Sequence, residues 1–387
     1  MGAMGRKVCL LAVLFVCMAA GGLAQRIEVY IAPGALEAGE AERMTALLGE
    51  AFPQEEWTLA QGDSLRQLIM EDRVPGLAIC PPGEAMPWAR EGLILPLEGW
   101  IADAARIQQE ALQTGVWAER LYAVPLAARH RRAVVNADKL REMQMRHLLD
   151  RAAYPVWQPV QLDQVLEECF LNGETGMELW PPEAGGSAAV EALLQALCGG
   201  RWIAEAGGLA VSAPESIAAM RWLKEMMQNG LIGCAESREE ALSHFLDGET
   251  TIFIDWTDEE ERRQRQKEGE EAFERHTMPY PASDGLPVRA FDLTSLCVFD
   301  AGDTAANTAL LRAAAFLHED DAVQALLGGR GIWRDGAVWL APLDADDCGA
   351  TLRGLMNGAL RDVMRGEGEP IEALMRVQAA MRAAGYR

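Results

Sequence analysis

Ile27-Glu28-Val29-Tyr30-Ile31, closed by Pro33-Gly34, is the stretch from which the fold is read. Ile27, Val29 and Ile31 alternate with period two, the pattern of a strand, and the proline and glycine stop it. The period then changes. Between Ala41 and Phe52, Met44, Leu47, Leu48 and Phe52 fall at helical spacing until Pro53 ends the run, and a short strand is expected around Trp57 to Leu59. Asp63-Ser64 can cap a helix bearing Leu65, Leu68 and Ile69. Gly76-Leu77-Ala78-Ile79-Cys80 reads as a strand buried on both faces, running into Pro81-Pro82-Gly83. Strand, helix, strand, helix, strand predicts an α/β fold with a parallel sheet and helices on its faces. Ligands of such sheets bind beyond the carboxyl ends of the strands, which singles out the turn from Pro81 to Glu84.

The same texture continues along the chain. Leu121-Tyr122-Ala123-Val124-Pro125 and Ala133-Val134-Val135-Asn136 read as extended segments on either side of a basic patch, Arg129-His130-Arg131-Arg132. Leu162 to Phe170 reads as helix, and Ile217, Met220, Leu223 and Met227 share one helix face that ends at Asn229-Gly230. Thr251-Ile252-Phe253-Ile254 is a short apolar strand leading into Asp255-Trp256. The run from Asp258 to Arg275, dense in glutamate and arginine, reads as a solvated helical face with i,i+4 pairing. Leu293 to Phe299 and Ala305 to Leu317 add a strand and an amphipathic helix.

Composition narrows the class. With 387 residues, half of them hydrophobic and 24% charged, the chain has room for two or three packed domains and is neither a disordered tail nor a polytopic membrane protein. The balance of 35 Lys plus Arg against 58 Asp plus Glu, a net charge of −23, argues against nucleic acid or anionic lipid as a partner. Arg6 and Lys7, the apolar run Val8 to Ala20 and the small residues up to Ala24 read as a secretory signal over residues 1–24. Its removal would take the charge from −23 to −25. The run falls short of the ~20 residues a spanning helix needs. Export to an extracellular or periplasmic location is therefore expected. Membrane association through a lipid on Cys17 is the alternative, because Leu14-Phe15-Val16-Cys17 loosely resembles a lipoprotein cleavage box with a bulky Val16 in it. Past the signal, Cys80, Cys169, Cys198, Cys234, Cys297 and Cys348 form no C-x-x-C unit and are read mostly as free, buried thiols.

Chemistry-bearing motifs are missing. No G-x-S-x-G elbow, Walker loop, H-E-x-x-H or dinucleotide glycine fingerprint occurs, so no catalytic residue, cofactor or metal site is assigned. Gly328-Gly329-Arg330-Gly331 is read as a helix terminus and turn, and Asp344, Asp346 and Asp347 as a polar loop without the remaining ligands of a calcium site.

Five segments in order resemble the extracellular solute-binding proteins of ABC importers, in the family 1 branch that includes maltose-binding protein. They are Trp88-Ala89-Arg90-Glu91-Gly92-Leu93-Ile94-Leu95-Pro96-Leu97, Leu121 to Pro125, Asn136-Ala137-Asp138-Lys139-Leu140, Phe245 through Trp256, and Met278-Pro279-Tyr280-Pro281. The helix from Glu369 to Ala384 also fits the end of such a chain. The resemblance implies a two-lobed periplasmic-binding-protein fold of type II, with discontinuous lobes and a hinge. Lobe one would take residues 26–128 plus 290–328 and lobe two residues 129–289 plus 329–387. It further implies a non-enzymatic, monomeric protein that captures a solute, a carbohydrate, in the cleft and delivers it to ABC permease subunits in the membrane. An exported glycosidase or other hydrolase, and a sensor module without transport, are the competing readings.

By the same resemblance the ligand-binding residues are Trp256, Asp255, Arg129, His130, Pro82, Gly83 and Asp292. Two departures bear on the ligand: the acid that sugar-binding members often carry in the first turn is absent from Pro81-Pro82-Gly83, and Arg129 aligns with a position where they commonly offer an acid. A guanidinium in the cleft suits a carboxylate or sulfate better than a neutral hydroxyl, so an acid-bearing saccharide is expected.

Overall fold

The computed structural model describes residues 25–386 apart from 37–38, 61–63, 102–106, 108, 182–187, 200–201, 203–208, 267–272, 284, 286–287, 328–337 and 341–346. The signal at 1–24, the Gly328 to Gly331 turn and Asp344 and Asp346 lie outside the described residues; Asp347 opens a helix, Asp347–Met364.

One mixed sheet runs through the molecule. β1 (Gln25–Ile31) lies between β2 (Glu55–Leu59) and β3 (Leu77–Cys80), parallel to both. β4 (Val116–Trp117) and β5 (Arg120–Leu121) form a small separate hairpin. Then follow β6 (Ala123–Asn136), β7 (Thr175–Leu179), β8 (Ile232–Cys234), β9 (Thr250–Thr257), β10 (Arg275–Met278), β11 (Val288–Val298) and β12 (Val338–Leu340). The order across the sheet is β2-β1-β3-β11-β6-β9-β7-β8, with β10 paired to β6 and β12 to β11.

The local signals act where the sequence places them. Ser64 Oγ accepts from the Gln67 amide at 3.2 Å and caps the helix Leu65–Met70. The helix Pro214–Gln228 ends at Asn229, with Gly230 at a positive φ of 72°. Both faces of β1 are covered: Ile27 and Val29 pack into one apolar cluster, Tyr30 and Ala32 into another. The described cysteines are free, with Cys80, Cys169 and Cys297 buried, Cys198 half-buried and Cys234 exposed.

Three local readings change. Pro81 to Glu84 is not an open turn: Pro82 starts the helix Pro82–Arg90, because proline's missing N–H costs nothing at the first helical position. Among the described residues the charged run is helical over Asp258–Gln266, and Arg275 already belongs to β10. The two extended segments around the basic patch are one continuous strand, β6, which passes through Arg129 to Arg132 without a break.

That strand organises the whole. Its first part pairs with β11 from Ala123↔Cys297 to His130↔Phe291, antiparallel, with an irregularity at Thr294/Ser295. Its last part pairs with β9 on one edge and with β10 on the other. Burial separates along it. Leu126, Leu296, Leu310 and Leu317 pack with β1 and β3, whereas Val134, Leu166, Met177, Leu223, Phe253 and Leu374 form a second core. Two lobes with separate cores are thus joined by two strands that belong to both.

Candidate ligand site at the hinge

Side chains alternate along a strand, so Arg129 and Arg131 lie on one face of β6 and His130 and Arg132 on the other. On the first face the lobes approach each other. Arg129 Nη2 donates to the Gly34 carbonyl, just beyond β1, at 3.0 Å, and Thr294 Oγ1 of β11 donates to the Ala35 carbonyl at 3.3 Å. Lobe two brings Asp255, near the end of β9, against Arg131 on this face, and Arg238, just after β8, against Asp255. The carboxyl ends of strands from both lobes therefore converge above the hinge strands, where ligands of α/β sheets bind.

A chain of alternating charge floors this region. Asp292, on β11, accepts from Arg131 through both oxygens, with Nε to Oδ1 at 3.3 Å. Arg131 also donates to Asp255, whose other oxygen accepts from Arg238 Nε. Arg238 Nη2 donates to the Asp255 carbonyl at 2.9 Å and to Glu260 Oε1 at 2.7 Å. Glu260 closes the chain by accepting from the Thr257 amide at 2.9 Å. Asp255 is 1% exposed, while the Asp292 side chain at the other end is 40% exposed. Burial works against the Arg131 charge, but Asp255 and then Asp292 outweigh it and lift the guanidinium above its ordinary value. Arg238 shows the same balance, with Asp255 and Glu260 prevailing. Tyr280, fully buried beneath, donates to the Ile254 carbonyl at 2.8 Å; burial, then the nearby Asp255, raises its phenol.

Lobe one presents a different wall. Glu84, in the first turn of the helix Pro82–Arg90, lies 3.4 Å from the Tyr30 hydroxyl, which donates to it. Burial pushes the Glu84 carboxyl up, against the hydrogen bond from Tyr30, and raises Tyr30 as well.

The residues singled out by sequence are distributed as follows. Asp255 and Asp292 are joined through Arg131, and Arg129 stands opposite Asp292 in register. Trp256 is 0% exposed, edge-on to Phe245 and hydrogen-bonded through Nε1 to Glu261 at 2.8 Å, within the core of lobe two. His130 occupies the opposite face, and Pro82 and Gly83 begin a helix of lobe one. Arg238, Glu260 and Tyr30 escaped sequence reasoning, whereas Glu84 belongs to the turn it singled out. Arg238 left a signal: a cation in the first turn of a helix opposes the helix dipole and asks for a reason.

No family model matches this sequence, and no curated protein matches it either. Solved structures do. A cyclic α-maltosyl-1,6-maltose binding protein from Arthrobacter globiformis is similar at a TM-score of 0.75 and 16% identity, over 93% of this chain and 99% of that one. This is the two-lobed periplasmic-binding-protein fold. A family 1 extracellular solute-binding protein from Bifidobacterium longum subsp. infantis is similar at 0.73 and 11% identity, over 94% and 100% of the two chains. UgpB from Mycobacterium tuberculosis, solved in complex with glycerophosphocholine, is similar at 0.72 and 12% identity, over 93% and 98%. The fold thus carries neutral saccharides and a phosphodiester alike, and the ligand must be argued from the site.

Proposed function

We propose that this chain is an exported member of the solute-binding proteins of ABC importers, which closes its lobes over a saccharide and delivers it to membrane permease subunits without turning it over. The observation that supports this reading most is the pair of unbroken strands β6 and β11 shared by both lobes, with strand ends of both lobes converging on one face of that pair. Such a connection lets two rigid bodies rotate about a few residues, so that ligand can stabilise the closed state. Lobe boundaries are placed at 26–128 plus 290–328 and 129–289 plus 329–387. The permease, the monomeric state and export past residues 1–24 belong to the same reading.

For the solute, Arg129 and Asp292 are the contacts at the hinge, Asp255 fixes Arg131 between them, and Pro82 and Gly83 contribute lobe one's wall. Trp256 serves the site by shaping lobe two. Arg129, Arg131 and Arg238 are matched in number by Asp255, Asp292 and Glu260, so the floor suits a largely neutral ring of hydroxyls. Arg131 and Arg238 spend their hydrogen bonds on carboxylates, whereas Arg129 donates to a neutral carbonyl. An acid group on the saccharide would be met there.

A thermal-shift screen against neutral sugars, uronates and sugar phosphates tests this, with small-angle scattering before and after the best hit. A ligand at 100 times its dissociation constant stabilises the fold by ~2.7 kcal/mol. Scattering should show contraction. Steady hydrolysis of chromogenic glycosides by the purified protein, or no hit with unchanged scattering, would overturn the reading.

A further inference from the structure

The other face of β6 carries a cavity of about 370 Å³, which shares Arg131 with the charged floor of the cleft. It opens where β11 has left the edge of β6, after His130, and β10 has not yet joined it, at Ala133. His130, Arg131 and Arg132 come from β6, Arg151 and Tyr154 from the loop before the helix Pro159–Leu171, His276 from β10, and Asp258 from the start of the helix Asp258–Gln266. The volume is in the range of small-molecule sites.

Its charges are unequal. Asp258 is engaged by Arg132. Glu274, beside His276 in sequence, is held by Arg141 at 2.6 Å. Arg151 donates Nη2 to the Thr277 carbonyl at 2.8 Å and Nε to His276 Nε2 at 3.4 Å, both neutral acceptors. That bond requires His276 Nε2 to be without a proton, and burial followed by the Arg151 charge lowers its basicity accordingly. Three arginines, Arg131, Arg132 and Arg151, and two histidines thus line the space with one carboxylate among the described residues, and that one is already paired. A fork of guanidinium donors beside imidazole N–H groups is the chemistry that binds a tetrahedral or planar oxyanion.

We propose that this cavity is a second binding site, separate from the solute cleft, for a small oxyanion such as phosphate, sulfate or a carboxylate, with Arg151 as its principal contact and His130 and His276 beside it. It does not depend on the cleft's binding a saccharide. The anion can be free or attached to an organic molecule, and the chemistry recognised is the same.

Calorimetric titration of the full chain with inorganic phosphate, at ionic strength held constant with chloride, is the test. Saturable binding at about 1 mM or tighter is expected. Arg151→Gln, at an exposed residue, should weaken it at least tenfold, His130→Gln severalfold, and Arg129→Ala not at all. A sugar phosphate that binds more tightly than phosphate with the same sensitivity to Arg151→Gln identifies an attached anion; equal affinity identifies a free one. Absence of saturable binding, or binding indifferent to both Arg151→Gln and His130→Gln (an adventitious ion only), overturns the site. Loss with Arg129→Ala would place the anion in the cleft and overturn it too. Failure of every saccharide in the cleft assay leaves it standing.

Discussion

The two walls of the cleft are made of opposite materials. The hinge and lobe two offer Asp292, Arg131, Asp255, Arg238 and Glu260, each charge touching its opposite. Lobe one offers Glu84, a part-buried carboxyl that burial inclines to keep its proton and that accepts from the fully buried Tyr30. The first wall is fixed by ion pairs that would be costly to break. The second is held by a long hydrogen bond from Tyr30 to Glu84, at 3.4 Å. A saccharide has to satisfy both, and the contrast says that lobe two sets its orientation whereas lobe one can adjust to it.

The largest test of the contrast removes the centre of the charged wall. Asp255→Ala takes away the buried carboxylate that Arg131 and Arg238 share, leaving them Asp292 and Glu260, and breaking a buried pair costs about 3–5 kcal/mol. The denaturant midpoint should drop accordingly, with Asp255→Asn milder; an unchanged midpoint would mean that the chain of charges does not hold the wall. Next comes Arg129→Ala. It should weaken the best acid-bearing saccharide more than tenfold, ~1.4 kcal/mol, and neutral ones much less. Affinities within threefold by calorimetry would show that no acid group meets Arg129.

Trp256→Phe sharpens the question of what lobe two contributes. The indole is covered, so the change should cost about 1 kcal/mol of stability through the lost bond to Glu261 and leave ligand affinity unaltered. A large affinity loss with little stability loss would place the indole against the ligand after closure. The smallest effect belongs to lobe one. A carboxyl whose folded value is raised holds its proton to higher pH than in the unfolded chain, so Glu84 withdraws stability as pH climbs from the ordinary carboxyl range through that raised value. Glu84→Gln should flatten this part of the stability–pH curve, and identical curves would contradict the burial of its charge.

Sequence legibility differed between these regions for a physical reason. The lobe-one strands and helices show in their periods and caps, from Ile27 to Cys80, because both are local properties. The hinge was opaque: Arg129 to Arg132 look like a solvated break between two strands, and only the ladder with β11 and β9, with carboxylates brought from distant parts of the chain, lets such residues stay in a strand. Asp255 was visible as an acid at the end of an apolar run. Its partner Arg238 left only the weak signal of a cation in a helix's first turn, since pairing between a helix and a distant strand leaves no mark at fixed spacing. Trp256 attracted notice by its chemistry, yet its position on β9 turns it inward.

The placement of β11 also governs how the chain must assemble. β3 pairs early with β1 but finds its second neighbour only when Ser295 reaches Cys80, after all of β6 to β10 has been made, and the core of lobe two in turn awaits Leu360 and Leu374. Neither half can finish alone from a contiguous piece. Closing such long loops before any contact repays the entropy makes folding slow and late, so the newly made polypeptide spends an extended period as an open chain.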